Sequence, residues 1–452
     1  MSIFDGKRLT NDIFKLDLER MRTGWYSDKY FENITGMLTA LAERGYRFMG
    51  HSTRLAALGI DATDVDIGNL EVEVQWFTRR KPCSVVAGVD KALAMIEGCT
   101  GYFDAQGQFI NTYHTLEVEA VHDGAIVHYE GNPLNVQPVI KARGRYRDFA
   151  LLETPTLGVL TRGTRIATNV YNVLKAADGK AVLFFPARFD SHEVQAADGY
   201  AYQIAVQRYN MDYKGTLDAY VSTDAQGDWW GGLGGGTIAH AAIAAFLGDT
   251  AEVMLAFAAT RPVEIPRVAL IDFDNDCVGT TLQVMDAMFA RYRALVDADN
   301  MAEARRYRLY AVRPDTSGNL RDISVPPLGI KEVDLGVTPR LVFNLRQAID
   351  TAWQRWDLPA EWREHAQTWC RKIRILVTGG FGPAKIQRFE QLGVPVDIYG
   401  VGASLLSNSD QEGTNNDFTA DIVRVRINDT WVPMHKIGRK PCDNPDLVRI
   451  NH

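Results

Sequence analysis

The chain has 452 residues, 46% of them hydrophobic and 23% charged, which is ordinary for a globular protein with room for two or three domains and a substantial core. Its formal net charge of −7 leaves no electrostatic footprint for nucleic acid or an anionic membrane. Any anion must therefore be met by a local pocket.

The first residues, Met1 to Arg8, contain no apolar stretch of the kind a secretory signal needs, so a cytoplasmic location is expected. Residues up to about 30 read as helical, with Ile13, Leu16, Leu18 and Met21 among charged neighbours, and a second helix follows over 33–44. Between 64 and 142 the pattern turns extended. Residues 70–77, 115–121 and 125–129 alternate apolar and polar, and a helix over 89–97 interrupts them. Residues 1–150 thus read as an α+β domain with a mainly antiparallel sheet.

From about 151 to 416 the order becomes strand, loop, helix. Strands are expected over 181–185, 268–273, 308–312, 373–378 and 396–399, with helices over 238–246, 280–296, 339–352 and 384–391. That is an α/β class of chain whose parallel series most simply closes into a (β/α) barrel. Residues 417–452 are extended and polar and are expected to return to the first domain. The uncharged stretch 229–248 is broken by glycines and His240, so no membrane span is expected. Five scattered cysteines without a CxxC pair indicate neither disulfides nor a zinc cluster.

Two of the expected strands end in small residues, Thr378-Gly379-Gly380 and Gly400-Val401-Gly402-Ala403-Ser404. Glycine lets backbone N–H groups approach an anion, because no Cβ blocks the path and positive φ is allowed. Ligands of parallel α/β folds sit at the carboxyl ends of the strands, so these turns point to a phosphorylated small molecule. Further polar clusters follow other strands: Arg188 to His192, Asp272 to Asp276, Arg313 to Asn319, and the glycine-rich approach to Thr237 and His240. Arg188 and Arg313 could each clamp a carboxylate or phosphate, or form ordinary surface salt bridges. Asp272 and Asp315 suit ribose hydroxyls or Mg²⁺-bound water, and equally suit helix caps. His240 taken alone reads more readily as a core or helix-end residue than as a reactive one.

In order along the chain, these motifs resemble the nicotinate phosphoribosyltransferase family, within the type II phosphoribosyltransferases. The resemblance rests on Ser27-Asp28-Lys29-Tyr30-Phe31, on Glu153-Thr154-Pro155 with Thr164-Arg165-Ile166-Ala167-Thr168, and on Phe185-Pro186-Ala187-Arg188. It continues through Gly236-Thr237-Ile238-Ala239-His240, Arg313-Pro314-Asp315 and the two glycine turns. It implies an irregular (β/α) barrel with an open-faced α+β N-terminal domain, active sites at a homodimer interface, and Mg²⁺ and ATP as cofactor and co-substrate. The implied reaction joins nicotinate to 5-phosphoribosyl 1-diphosphate, with His240 as a transient phosphate carrier. Tyr30 and Thr237 would lie at the pyridine, Arg313 at its carboxylate, and Gly379, Gly380, Gly400, Gly402 and Ser404 at the ribose phosphate, with Arg188 also binding substrate and Asp272 and Asp315 catalytic. Three departures leave the pyridine open: Ala403 replaces a usual threonine, Asp315 to Asn319 carries an inserted residue, and Phe189 replaces a second arginine. Nicotinamide transfer is the first alternative; a sugar-phosphate isomerase or lyase, or a silent nucleotide-binding regulator, are readings of another class.

Overall fold

The computed structural model describes residues 6–450, which divide into two compact units. The first holds residues up to Tyr171, Tyr200–Arg208 and the chain from Ser407 onward; the second holds Asn172–Gly199 and Tyr209–Leu406. The divisions thus fall inside two long helices, Glu153–Ala176 and Gln195–Tyr213, and ten residues ahead of the boundary read at 416.

In the first unit a six-stranded antiparallel sheet runs in the order Thr430–Pro433, Phe418–Ile427, Glu71–Thr78, Ile140–Arg145, Glu117–Ala120, Val448–Arg449. The strand Glu71–Thr78 alternates in sequence as though one face met water, yet both faces are buried. On the apolar face Trp76 is buried and its indole N–H donates to Thr156 Oγ1 at 3.1 Å. On the polar face Glu73 accepts from Arg143 Nε at 2.6 Å and from Arg424. Burial alone would raise the Glu73 pKa, but the two guanidiniums overcome it and hold the carboxyl below its usual range. Gln75 is closed over by the chain end, donating to Lys440 O and accepting from Cys442 N.

Residues up to 30, expected as one helix, form two short ones, Asn11–Phe14 and Leu18–Arg22, because Lys15 turns left-handed between them. The 24-residue helix Glu153–Ala176 was not evident from the sequence. Its Pro155 lies in the first turn, where a missing N–H costs nothing. Gly163 is required by packing, since a Cβ there would come within 2.6 Å of the Ala87 carbonyl oxygen.

The second unit is built on a five-stranded parallel sheet, ordered Ala181–Phe184, Ile398–Val401, Arg374–Val377, Ala311–Arg313, Val268–Leu270. Isolated parallel bridges continue it from Phe184 to Val221 and on to Gly234. This is the irregular barrel series, with its last two members reduced to single bridges. Val268, Ala311, Leu376 and Ile398 form one apolar cluster, with Ala181 and Leu183 packed against it. Side chains alternate along a strand, so Arg313, two residues beyond Ala311, shares the face of that cluster at the carboxyl end. Helix Cys277–Asp297 packs against Thr250–Thr260 and Pro339–Thr351. Among the described residues no helix is long and apolar enough to cross a membrane.

Candidate active site

The strands of the second unit stop early, and that brings polar groups to their carboxyl ends. The strand expected over 268–273 ends at Leu270, because Asn275 N donates back to Asp272 O at 3.1 Å and turns the chain. The turn leaves Asp272 with both carboxylate oxygens 3.1 Å from His240 Nε2. The Asp272 side chain is 8% exposed and that of His240 46%, so a buried carboxylate orients a ring open to solvent. Burial raises the Asp272 pKa, His240 opposes the rise, and Asp315 adds to it. The helix that His240 opens, His240–Ala245, is only six residues long, so Asp272 rather than a helix dipole is the main influence on the ring.

Arg313 donates through Nη2 to Ile238 O at 2.9 Å, while its Nε is buried without a hydrogen-bond partner. Burial lowers its pKa; the fields of Asp315 and Asp272 favour its charge, and Arg188 opposes it. Arg188 is exposed, with its guanidinium carbon 5.4 Å from the Phe189 ring centroid. A cleft of about 380 Å³ is lined by His240, Asp272, Asn275, Asp315, Thr316 and Ser317, among others. Asn275 had no individual signal in the sequence beyond its acidic neighbours. Its Oδ1 is buried and unpartnered, and its backbone is left-handed at φ 57°.

Next to the cleft, Thr378 Oγ1 donates to Asp315 Oδ1 at 2.7 Å, tying the Arg313 strand to the first glycine turn. Gly379 and Gly380 have φ of 91° and 67°, which β-carbon-bearing residues rarely adopt. The backbone N–H groups of Gly379, Gly380, Phe381 and Gly382 have no protein acceptor among the described residues. The second turn differs. Gly400 lies inside its strand, buried, where a Cβ would sit 2.6 Å from Thr378 Cγ2 and 2.9 Å from the Phe185 ring. Gly402 lies under Phe189, with a Cβ clearance of 2.7 Å. These two glycines are needed for close packing, not for positive φ. Ser404 donates its hydroxyl hydrogen to Phe381 O at 2.9 Å and so joins the turns.

The fold places His240, Asp272, Arg313, Asp315, Gly379 and Gly380 at the carboxyl ends of one parallel sheet. No family model and no curated protein matches the chain, but solved structures do. It superposes on the nicotinate-nucleotide pyrophosphorylase of Pyrococcus furiosus with a TM-score of 0.60 at 22% identity, covering 93% of this chain and 79% of that one. Human nicotinic acid phosphoribosyltransferase matches with a TM-score of 0.50 at 15% identity, over 79% of this chain and 71% of that one. The fold is that of the type II phosphoribosyltransferases.

Within this type II phosphoribosyltransferase fold, Tyr30 belongs to the first unit, 57% exposed near the start of helix Lys29–Glu43, its hydroxyl 3.1 Å from Asp28 Oδ2. Thr237 immediately precedes Ile238, whose carbonyl holds Arg313. Among the described residues no group of three or more His, Cys, Asp or Glu could cage a metal ion. Asp272 and Asp315 bring two carboxylates to the lining of one cleft.

Proposed function

We propose that the chain is a nicotinate phosphoribosyltransferase: the pyridine nitrogen of nicotinate attacks the anomeric carbon of 5-phosphoribosyl 1-diphosphate, the bond to the diphosphate oxygen breaks, and nicotinate mononucleotide and pyrophosphate leave. The observation that carries the reading is the Asp272–His240 pair beside Arg313 and the left-handed Gly379-Gly380 turn, on a type II phosphoribosyltransferase fold. Departure of diphosphate leaves positive charge on the sugar, which Asp315 and Asp272 stabilise from the cleft wall. Arg313 suits the nicotinate carboxylate: its guanidinium is buried, anchored at one nitrogen and unpaired at Nε. Mg²⁺ entering with the substrate would neutralise the leaving diphosphate, with Asp272 or Asp315 as its protein ligand.

ATP coupling belongs to the same proposal. With Asp272 at Nε2, the imidazole presents Nδ1 to attack the γ-phosphorus of ATP, the bond to the β–γ bridging oxygen breaks and ADP leaves, and the N–P bond is later broken by water with release of phosphate. The test is to incubate the protein with phosphoribosyl diphosphate, Mg²⁺ and nicotinate, nicotinamide or quinolinate, with and without ATP, and to identify the mononucleotide. Nicotinate mononucleotide is expected, with ATP raising the yield and an acid-labile label from γ-labelled ATP that His240→Asn abolishes. Turnover of nicotinamide alone would overturn the substrate; absence of pyrophosphate release with every pyridine would overturn the reaction.

A further inference from the structure

Lys385 lies in the first turn of helix Pro383–Gln391, directly after the Gly379–Gly382 loop. Its ammonium donates to Gly379 O at 3.1 Å and sits 4.1 Å from the centroid of the Phe381 ring, with the Phe389 ring at 5.9 Å. A carbonyl and two aromatic faces are only partial counter-charges. Among the described residues no carboxylate comes within ion-pair distance of this amine. Burial without a counter-ion pushes its pKa down to about 8. The same loop offers four backbone N–H groups that no protein acceptor takes up.

A partly buried cation and a run of open donors around one turn lack the same thing, an anion. We propose that Lys385 is a binding residue for the phosphate monoester of the sugar ligand, holding Gly379 O with one N–H while another meets a phosphate oxygen above the Gly379-Gly380 turn. The inference rests on the reading of the neighbouring cleft as a phosphoribosyl site and adds a side-chain cation to the open backbone donors of the Gly379–Gly382 turn.

The experiment measures binding of ribose 5-phosphate, ribose and inorganic phosphate by calorimetry to wild type, Lys385→Met and Lys385→Arg, alongside the steady-state assay. Lys385→Met is expected to weaken ribose 5-phosphate about 10- to 100-fold, the range for a lost hydrogen bond to a charged group. It should raise KM for phosphoribosyl diphosphate far more than it lowers kcat, and ribose should not discriminate between the variants. Lys385→Arg keeps the charge and should recover most of the affinity. A residue that only braced the Gly379 carbonyl would lower Tm and leave these ratios alone, and that result overturns the proposal. Wild type that binds neither phosphate nor ribose 5-phosphate overturns it too. Binding lost in Lys385→Met from a wild type that makes no pyridine mononucleotide would keep the lysine and discard the transferase reading.

Discussion

On the proposed reading, Asp272 is a side chain that serves chemistry at the expense of stability. Its pKa is raised by burial, so the folded state prefers the protonated acid. Such a group contributes stability fully below the ordinary carboxylate pKa, and that contribution disappears as pH rises through the folded value. Once ionised, the buried Asp272 carboxylate is therefore a burden that an amide would not carry. Asp272→Asn is expected to melt at or slightly above the wild-type temperature at pH 7 and slightly below it near pH 4, while ATP-coupled turnover falls about 10- to 100-fold through loss of the charge that orients His240. Equal melting temperatures at both pH values, with turnover intact, would refute that account. The glycines give a second contrast. At Gly380 a methyl group meets nothing within 4 Å but the backbone is left-handed, so Gly380→Ala should cost about 1 kcal/mol. At Gly400 the backbone is ordinary but the methyl strikes Thr378 and Phe185, so Gly400→Ala should cost about 1–3 kcal/mol. Denaturant melts of both variants check the order.

At the scale of elements, the parallel strands of the second unit were legible because each is a short apolar run followed by small or polar residues. Their ends were not. The strand over 268–273 loses three residues to the Asp272 turn, whose hydrogen bond depends on the tertiary position of Asn275, held by donation to Arg321 O. The glycine turns were both visible as motifs, yet only one has the left-handed backbone that the motif suggested, since neighbouring rings cannot be read from a strand's own residues. Helix Glu153–Ala176 was hidden because Pro155, Gly158 and Gly163 look like breakers. What holds it is a ladder of threonines: Thr164 Oγ1 accepts from Ala87 N at 3.1 Å and Thr168 Oγ1 from Val85 N at 3.0 Å. Thr168→Val preserves shape and leaves the buried Val85 N–H without an acceptor. A loss of about 1–3 kcal/mol is expected in chemical denaturation, against near neutrality if shape alone mattered.

At the scale of the molecule, the first unit is closed by the far end of the chain. The return of residues 417–452 was suggested by their extended, polar character, but which strand receives them was not, because the pairing spans 340 or more positions of sequence. Phe418–Ile427 lies between Thr430–Pro433 and Glu71–Thr78, and residues 440–442 then cover Gln75 on the polar face. This explains why a strand patterned for one wet face has none. Two truncations separate these contributions. Ending the chain at Pro433 keeps the strand Phe418–Ile427 and removes the cover together with the two-residue edge strand Val448–Arg449, so the protein should still melt cooperatively at a lower temperature. Ending it at Asn416 removes Phe418, Val423, Val425 and Ile427, all buried. At roughly 1.5–3 kcal/mol for each buried side chain, that loss rivals the roughly 5–15 kcal/mol that holds a whole domain together. It also takes the Arg424 partner from Glu73 and bares one edge of Glu71–Thr78. The shorter protein should therefore aggregate or lose its cooperative transition in the first unit, as read by circular dichroism and by fluorescence of buried Trp76. Two truncations with the same melting temperature would mean that the first sheet does not need its C-terminal strand, and the account of this unit given by its pairing would be wrong.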